Sequence, residues 1–229
     1  MKPLRSSPCL GRLGPIGRGT KMNLRERVLS HTIVYKTFKE AVLPRGAIEA
    51  LVRDHFAIAD GSRVLDLGCG YGDYAPYFSE RCDYLGIDHN ESYIGRAREL
   101  NAGSSARFLV ADVADSAVVE NGPYDLIMMA GVLHHLPSDS VRQLVRIVQP
   151  LVSDQGCFVA MEPVFTPEQG LTARLIIAAD RGRFVRDSDG YRSLFKPEFG
   201  EVRCVERSGI LRIPYNHVFI TAANSTANG

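Results

Sequence analysis

Residues 64–72, with the sequence VLDLGCGYG, decide the fold of this chain, because an apolar run of strand character breaks there into three alternating glycines. Glycine has no Cβ, so it permits a tight turn and a close approach of the backbone to a ligand. A glycine-rich loop between a strand and a helix is typical of a cofactor site. The dinucleotide fingerprint G-x-G-x-x-G needs a glycine at position 73, where this chain has Asp73. The pattern is D-x-G-x-G-x-G, with the acid inside the strand end.

Downstream of residue 62, apolar segments alternate with segments of helical character. The predicted strands lie near 62–68, 83–88, 106–111, 124–130 and 156–162. The predicted helices lie near 72–80, 91–102 and 138–150, with a short helical turn near 115–120. Apolar strands that alternate with helices predict a mostly parallel sheet covered on both faces.

The two ends of the chain depart from this alternation. Residues 23–41 and 45–57 read as two helices on either side of a Pro-Arg-Gly break. Residues 201–207 and 211–221 read as two strands, and the Ser208-Gly209 pair between them is typical of a hairpin turn. The pattern alone predicts an α/β domain with a closing hairpin.

Composition sets limits on the class of protein. The chain has 229 residues, of which 45% are hydrophobic and 23% charged, as expected for one soluble globular domain. No apolar run reaches the roughly 20 residues that cross a bilayer, so we expect no membrane partner. Residues 1–21 carry five basic and no acidic residues, which leaves −4 on the remainder of a chain of net charge +1. A mildly acidic body argues against a nucleic-acid partner.

The first 21 residues contain four glycines and three prolines and little apolar periodicity, so we predict that they are disordered. They lack the apolar core of a secretory signal, and their prolines and glycines disfavour the amphipathic helix of a transit peptide. Met22 is an alternative start, and the sequence does not choose between it and Met1. The odd set of five cysteines lacks zinc-site spacing and indicates free thiols in a reducing cytoplasm.

The glycine loop resembles the first motif of the class I S-adenosylmethionine-dependent methyltransferases, and the resemblance covers roughly residues 60–222. It implies a Rossmann-like, doubly wound, seven-stranded sheet, mostly parallel with an antiparallel C-terminal strand and preceded by N-terminal helices. The implied domain spans 22–229 after a disordered extension. Its expected parts are a helical cap at 22–59, a cofactor-binding core at 60–162, a substrate-cap insertion at 163–200 and a closing hairpin at 201–222.

The resemblance also implies a site for S-adenosyl-L-methionine at the carboxyl ends of the first four strands. Asp66 would hold the ammonium group, Asp88 the ribose hydroxyls and Asp112 the adenine amino group. The other implied cofactor-binding residues are Gly68, Cys69, Gly70, Gly72, His89, Val113 and Ala130. Ordinary local roles remain open for the acids: Asp66 can cap a turn, Asp88 can cap a helix, although Asn90 suits that better, and Asp112 can form a turn with Asp115.

The segment after the fourth strand contains the adjacent pair His134 and His135, and the fifth strand ends at Glu162. Neighbouring strand ends meet at one edge of the sheet, so Glu162 can orient a histidine that accepts a proton at neutral pH. We therefore predict a catalytic dyad, with His134 preferred over His135. The alternative is that the histidines only cap the following helix or pack near the cofactor.

Substrate contacts are expected from Tyr35 in the N-terminal cap and from Arg181 in the insertion, where a solvated helix face is the plainer interpretation. The resemblance implies methyl transfer to a small molecule, with oxygen of a natural-product or sugar-like compound favoured. An NAD-dependent oxidoreductase and a noncatalytic cofactor-binding module are the alternatives. No metal site is predicted, and the sequence does not indicate the oligomeric state.

Overall fold

The computed structural model of the protein describes residues 42–44, 46–56, 58–178 and 183–224. Several sequence predictions lie outside the described residues. These are the disordered extension 1–21, the helix 23–41, and the substrate candidates Tyr35 and Arg181.

The centre of the fold is a seven-stranded sheet. In chain order the strands are β1 (Arg63–Leu67), β2 (Asp83–Asp88), β3 (Arg107–Val110), β4 (Tyr124–Ala130), β5 (Val152–Pro163), β6 (Glu201–Arg207) and β7 (His217–Ala223). Their order across the sheet is β3-β2-β1-β4-β5-β7-β6. All pairs among β1 to β5 are parallel, whereas β7 is antiparallel to both β5 and β6. The prediction of a doubly wound, mostly parallel sheet with an antiparallel C-terminal strand is confirmed.

Six α-helices accompany this sheet in the described part of the chain. They are α1 (Ala47–His55), α2 (Glu91–Leu100), α3 (Ser116–Val119), α4 (Ser138–Val148), α5 (Leu171–Ala178) and α6 (Ser188–Phe195). Single 3-10 turns occur at Ala75–Tyr77, Leu133–His135 and Gln149–Leu151. Local capping fixes where α2 begins. The side chain of Asn90 accepts hydrogen bonds from the amides of Ser92 and Tyr93 in the first turn.

Both faces of the sheet are covered. One apolar core contains Leu65 and Leu67 of β1 and the buried stripe of α4, whose members are Val141, Val145 and Val148. The opposite core contains Val64 of β1 and the buried residues of α1. Because successive side chains of a strand point to opposite faces, β1 contributes to both cores. This explains why the strand reads as a continuous apolar run.

Three predicted elements need correction. The helix predicted at 72–80 is a series of turns with a 3-10 turn at Ala75–Tyr77, because Gly72 has a left-handed φ of 72° and Pro76 removes an amide donor. The strand predicted at 156–162 begins earlier, at Val152. The strand predicted at 211–221 is β7, which begins at His217.

The C-terminal hairpin is therefore wider than predicted. Residues 208–216 separate β6 from β7, so Ser208-Gly209 does not form a tight turn between paired strands. Pro214 cannot donate to a strand ladder, and the register of β7 on β5 sets His217 opposite Pro163 at the sheet edge. The expected insertion at 163–200 contains α5 and α6, whose bounds the sequence pattern does not predict.

We expect Gly72→Ala to lower the free energy of unfolding by about 3 kcal/mol, through backbone strain and overpacking. A Cβ at this position would lie 2.7 Å from the Phe108 ring and 2.9 Å from the Asn101 amide nitrogen. Urea denaturation measures the change. Gly61→Ala is the matched control, since Gly61 has a φ of 81° but no atom within 4 Å of a Cβ, and about 1 kcal/mol is expected there. Equal losses in the two variants would contradict the packing argument.

Candidate active site

The loop after β1 is shaped by three glycines in left-handed conformations. Gly68, Gly70 and Gly72 have φ values of 71°, 54° and 72°. The turn brings the amides of Gly68 and Cys69 to the carbonyl oxygen of Ile87, at 2.8 and 3.0 Å. The end of β1 is thus fastened to the end of β2 by backbone hydrogen bonds.

The three glycines are required for different reasons. A Cβ on Gly68 would lie 2.8 Å from Cγ2 of Val132, so this glycine permits close packing against the loop after β4. A Cβ on Gly70 would meet no atom within 4 Å, so the loop borders open space there. A ligand can therefore approach the backbone at Gly70 without displacing protein atoms.

Asp66 is a buried acid at the end of β1, with 2% of its surface exposed. The Tyr84 hydroxyl donates a 2.5 Å hydrogen bond to its Oδ2. Burial raises the pKa of Asp66 to about 7, the Tyr84 hydrogen bond opposes this rise, and the negative charges of Asp73 and Asp88 add to it. A carboxyl group in such surroundings favours the approach of a cation, because a positive charge compensates the buried negative one.

Asp88 connects the end of β2 to the glycine loop. Its Oδ2 accepts from the Gly70 amide at 3.2 Å and its Oδ1 from the Asn90 amide at 2.8 Å. A carboxylate has about four lone-pair sites, so each oxygen retains capacity for a further donor. Asn90, rather than Asp88, caps α2, as the sequence predicted. The side chain of His89 is 94% exposed beside this acid.

Asp112 follows β3 at the same edge of the sheet. The Ala111 amide donates to the carbonyl oxygen of Asp88 at 3.2 Å, which places Asp112 next to the end of β2. The exposed Asp112 side chain accepts from the Ala114 amide at 3.2 Å, and its own amide donates to Asp115. The turn role that the sequence left open is therefore present.

The remaining predicted cofactor residues lie in and around this edge. The side chain of Val113 belongs to an apolar core, and Ala130 ends β4. Cys69 is buried within the glycine loop, and this burial raises the pKa of its thiol, which disfavours the reactive thiolate.

A second polar cluster follows β4 and is centred on the fully buried carboxylate of Glu162. Its Oε1 accepts from the amides of Val132 and Leu133, at 2.9 and 2.8 Å. Its Oε2 accepts from the His134 amide at 3.2 Å and lies 2.6 Å from the Nδ1 of the His134 ring. An acceptor-only carboxylate fixes Nδ1 as the protonated nitrogen, so Nε2 is the basic nitrogen of the ring.

The two predicted histidines differ in their surroundings. The structure places His134 in the buried pair with Glu162, while the exposed His135 has its ring 4.0 Å from the His134 ring. The backbone amides of residues 132–134 are also held by Glu162, so this acid positions the loop as well as the ring. The structural and the catalytic interpretations of this acid are compatible.

Arg186 also stabilises the loop after β4 through hydrogen bonds. Its guanidinium donates to the carbonyl oxygens of Leu133 and Leu136, at 3.3 and 2.9 Å, and to the Ser138 hydroxyl. These contacts give Arg186 a structural role.

His217 lies near His134 at the edge of the candidate site, and the sequence analysis did not single it out. It is buried at the start of β7, and its Nδ1 has no hydrogen-bond partner in the described part of the chain. Burial lowers the pKa of His217 to about 4, and the neighbouring His134 lowers it further. Only the pairing of β7 with β5 brings it here, so local sequence carried no signal for it.

The described residues contain no group of three or more His, Cys, Asp or Glu residues that could hold a metal ion. None of their helices has both the length and the apolar character needed to span a bilayer.

Comparison with known proteins places the glycine loop in a recognised domain. Residues 64–156 match the family model described as a methyltransferase domain. The matched relatives include the ubiquinone biosynthesis O-methyltransferase of Acinetobacter baylyi, 28% identical over 109 residues, which are 46% of this chain and 45% of the relative. That of Sinorhizobium medicae is 37% identical over 79 residues, which are 34% of this chain and 32% of the relative. The chain thus spans less than half the length of these relatives.

Solved structures share the fold. A TehB-like S-adenosylmethionine-dependent methyltransferase from Corynebacterium glutamicum aligns with a TM-score of 0.62 and 18% identity over 87% of this chain and all of that one. The magnesium protoporphyrin IX methyltransferase of Synechocystis with bound S-adenosylhomocysteine aligns with a TM-score of 0.57 and 19% identity, over 91% of this chain and 90% of that one. Residues 64–156 thus match a methyltransferase domain, and the chain shares its fold with S-adenosylmethionine-dependent methyltransferases. The cofactor that the domain match and these neighbours support is S-adenosyl-L-methionine.

The donor set at the carboxyl edge fits this cofactor. Open space borders Gly70, a buried acid at Asp66 suits an ammonium group, and Asp88 keeps acceptor capacity for two hydroxyls. The residue roles implied by the resemblance therefore stand as predictions with a compatible geometry.

We expect Asp66→Asn to stabilise the cofactor-free protein at pH 8 by up to about 4 kcal/mol. The folded pKa of Asp66 lies near 7, above its ordinary value of 3.8, so its burial lowers stability as pH rises from about 4 through 7. Asparagine removes this cost, and the gain should shrink toward pH 4. Urea unfolding at several pH values measures it. Asp83→Asn, at an exposed ion pair, is the control and should change stability by no more than about 0.5 kcal/mol. A less stable Asp66→Asn variant at pH 8 would contradict the burial argument.

The lowered pKa of His217 predicts that the folded protein loses stability as pH falls, whereas Asp66 makes it lose stability as pH rises. The folded protein resists protonation of His217, so stability is full above pH 6.5 and falls as pH drops toward 4, by about 3 kcal/mol at most. His217→Asn, which does not titrate, should flatten this part of the stability profile measured by urea unfolding. His89→Asn, at an exposed position, should leave the profile unchanged, and equal slopes in all three proteins would refute the assignment.

Proposed function

We propose that this protein transfers a methyl group from S-adenosyl-L-methionine to a hydroxyl oxygen of a small molecule. The observation that carries the proposal is the buried His134–Glu162 pair next to the glycine loop, with Nδ1 of the histidine 2.6 Å from the carboxylate. A hydroxyl is a weak nucleophile that must lose its proton, so a base at this place suits an oxygen acceptor.

The chain's own residues bind and orient the cofactor in this proposal. Asp88 accepts the ribose hydroxyls, Asp66 faces the ammonium group and Asp112 accepts from the adenine amino group. The backbone of Gly70 passes beside the methionine part. Bound cofactor supplies a methyl group on a positively charged sulfur, which is an electrophile with a good leaving group. The protein mainly aligns the acceptor and excludes water.

His134 is the proposed general base. Glu162 holds its Nδ1–H, so Nε2 accepts the proton of the acceptor hydroxyl, and the carboxylate stabilises the imidazolium that results. The same carboxylate also fixes the backbone of residues 132–134, so the ring and its support move little. His135 lies beside this ring and contributes to the wall of the acceptor site.

The relatives support oxygen as the acceptor atom, since several are named ubiquinone biosynthesis O-methyltransferases. The chain also lacks the D-P-P-Y motif after β4 that is typical of enzymes that methylate amino groups of bases or glutamine. The matched relatives and structures give no support to an oxidoreductase. A cytoplasmic location and a small-molecule partner complete the proposal.

A screen for S-adenosylhomocysteine release across phenols, sugars and amines tests the proposed reaction. We expect turnover with a hydroxyl compound and none with amines. Turnover confined to amines would refute oxygen as the acceptor. Calorimetric titration with S-adenosylhomocysteine and with NAD tests the cofactor, and binding of NAD alone would refute the cofactor assignment.

Once the screen has identified a methyl acceptor, His134→Asn should lower kcat for it by about 10²–10⁴-fold, while cofactor affinity changes little. His135→Asn is the matched control, because that ring is exposed, and a loss below about tenfold is expected. Steady-state kinetics and a cofactor titration of each variant separate the two effects. Unchanged kcat after both histidines are replaced would end the proposal of a histidine base.

A further inference from the structure

Tyr84 lies in the interior of β2 and has no part in the roles assigned so far. It is fully buried, with its ring stacked on Phe78 at a centroid distance of 6.1 Å and edge-on to Phe108 at 5.9 Å. A buried tyrosine hydroxyl needs a hydrogen-bond partner. Here the hydroxyl donates to an ionisable group, the Asp66 carboxyl at 2.5 Å, rather than to a backbone carbonyl.

The strand register explains how the hydroxyl reaches the acid. On β1, Val64 is opposite Tyr84 and Asp66 is opposite Gly86. Gly86 has no side chain, and a Cβ there would lie 2.9 Å from the Phe108 ring and 3.0 Å from Sγ of Cys69. The Phe108 ring and the Cys69 thiol therefore pack over Gly86, and the Tyr84 hydroxyl reaches Asp66 diagonally, from the position opposite Val64.

Within the described part of the chain, the glycine loop and β2 place polar or charged groups against Asp66. From the glycine loop, Asp73 and the buried thiol of Cys69 lie near it, and from β2, Asp88 and Tyr84. The residue at the same register on β4 is the uncharged Met128. Among the described residues, the charged groups that act on Asp66 are thus negative, and they disfavour its ionisation in the absence of a cation.

We propose that Tyr84 is a positioning residue for the cofactor: its phenol orients the Asp66 carboxyl, and the arrival of the cofactor's ammonium group releases a proton from this pair. The inference rests on the proposed function, since it takes Asp66 as the partner of that ammonium. A positive charge next to Asp66 favours the carboxylate, and the phenol then donates to an anion, which strengthens the hydrogen bond.

The pair makes cofactor binding dependent on pH. With the pKa of Asp66 near 7, binding at pH 7 should release about half a proton, and at pH 8 about a tenth. Below pH 7 the affinity should fall by about tenfold per pH unit. Loss of the phenol removes a hydrogen bond that lowers this pKa, so the transition should move up by about one pH unit in Tyr84→Phe.

The test is calorimetric titration with S-adenosylhomocysteine in buffers of different ionisation enthalpy, which counts the protons released between pH 6 and 8.5. At pH 8, Tyr84→Phe should release about half a proton, more than the wild-type protein, and should bind more weakly. Asp66→Asn should lack the proton release that the wild type shows. Tyr124→Phe is the matched control, because its buried hydroxyl donates instead to the Val118 carbonyl oxygen, and its proton count should equal that of the wild type.

The outcomes separate this inference from the proposed function. If S-adenosylhomocysteine binds with the same proton count in Tyr84→Phe and wild type, or if the wild type releases none, the inference fails while the cofactor assignment stands. If the wild type does not bind S-adenosylhomocysteine at any pH, both fail. Should Tyr84→Phe not fold, the wild-type count and its loss in Asp66→Asn still decide whether binding displaces this proton.

Discussion

The hydrogen bond from the Gly70 amide to the Asp88 carboxylate is the interaction on which the site depends. It exists because left-handed glycines turn the chain back from β1 toward the end of β2, where the amides of Gly68 and Cys69 meet the carbonyl oxygen of Ile87. The same turn exposes backbone at Gly70 to open space. One local constraint therefore sets both the proposed ribose acceptor and the surface along which the cofactor would lie.

The part of the site that contains the proposed base, His134, is held by a side chain rather than by glycine turns. The loop after β4 is shaped by Glu162, whose buried carboxylate accepts from three successive backbone amides and contacts the ring of His134. Loss of any one partner would leave a buried charge short of donors, which is costly. Positioning and proposed proton transfer thus depend on one side chain. The neutral, buried His217 at the start of β7 keeps a further positive charge away from this loop.

Much of the fold could be predicted because central parallel strands are continuous apolar runs. The bounds of β2 and β4 match the prediction, and Asn90 was correctly preferred as the cap of α2 on local chemistry alone. The helix predicted at 72–80 was wrong because glycine and proline govern that turn more strongly than its apolar pattern. The tight hairpin was wrong because the register of β7 is set by β5, which is distant in sequence.

The sequence indicated Asp66, Asp88 and the His134–Glu162 pair because carboxyl and imidazole groups at strand ends can bind donors and transfer protons. The structure confirms the contact within the pair, while the roles of these residues stay predictions. Tyr84 and His217 were missed because periodicity gives a strand residue its face but not its cross-strand neighbour. Both acquire their surroundings only from pairing between strands. Tyr84 lowers the pKa of Asp66 through its hydrogen bond, and the pKa of His217 is itself lowered by burial and by His134.

A crystal structure of the complex with S-adenosylhomocysteine would show directly whether the ligand lies at the carboxyl ends of β1 to β3. We expect the ribose hydroxyls on the two oxygens of Asp88, the amino acid part beside Gly70 with its ammonium toward Asp66, and adenine at Asp112. A ligand bound away from the carboxyl ends of β1 to β3, or a ribose without contact to Asp88, would contradict this placement.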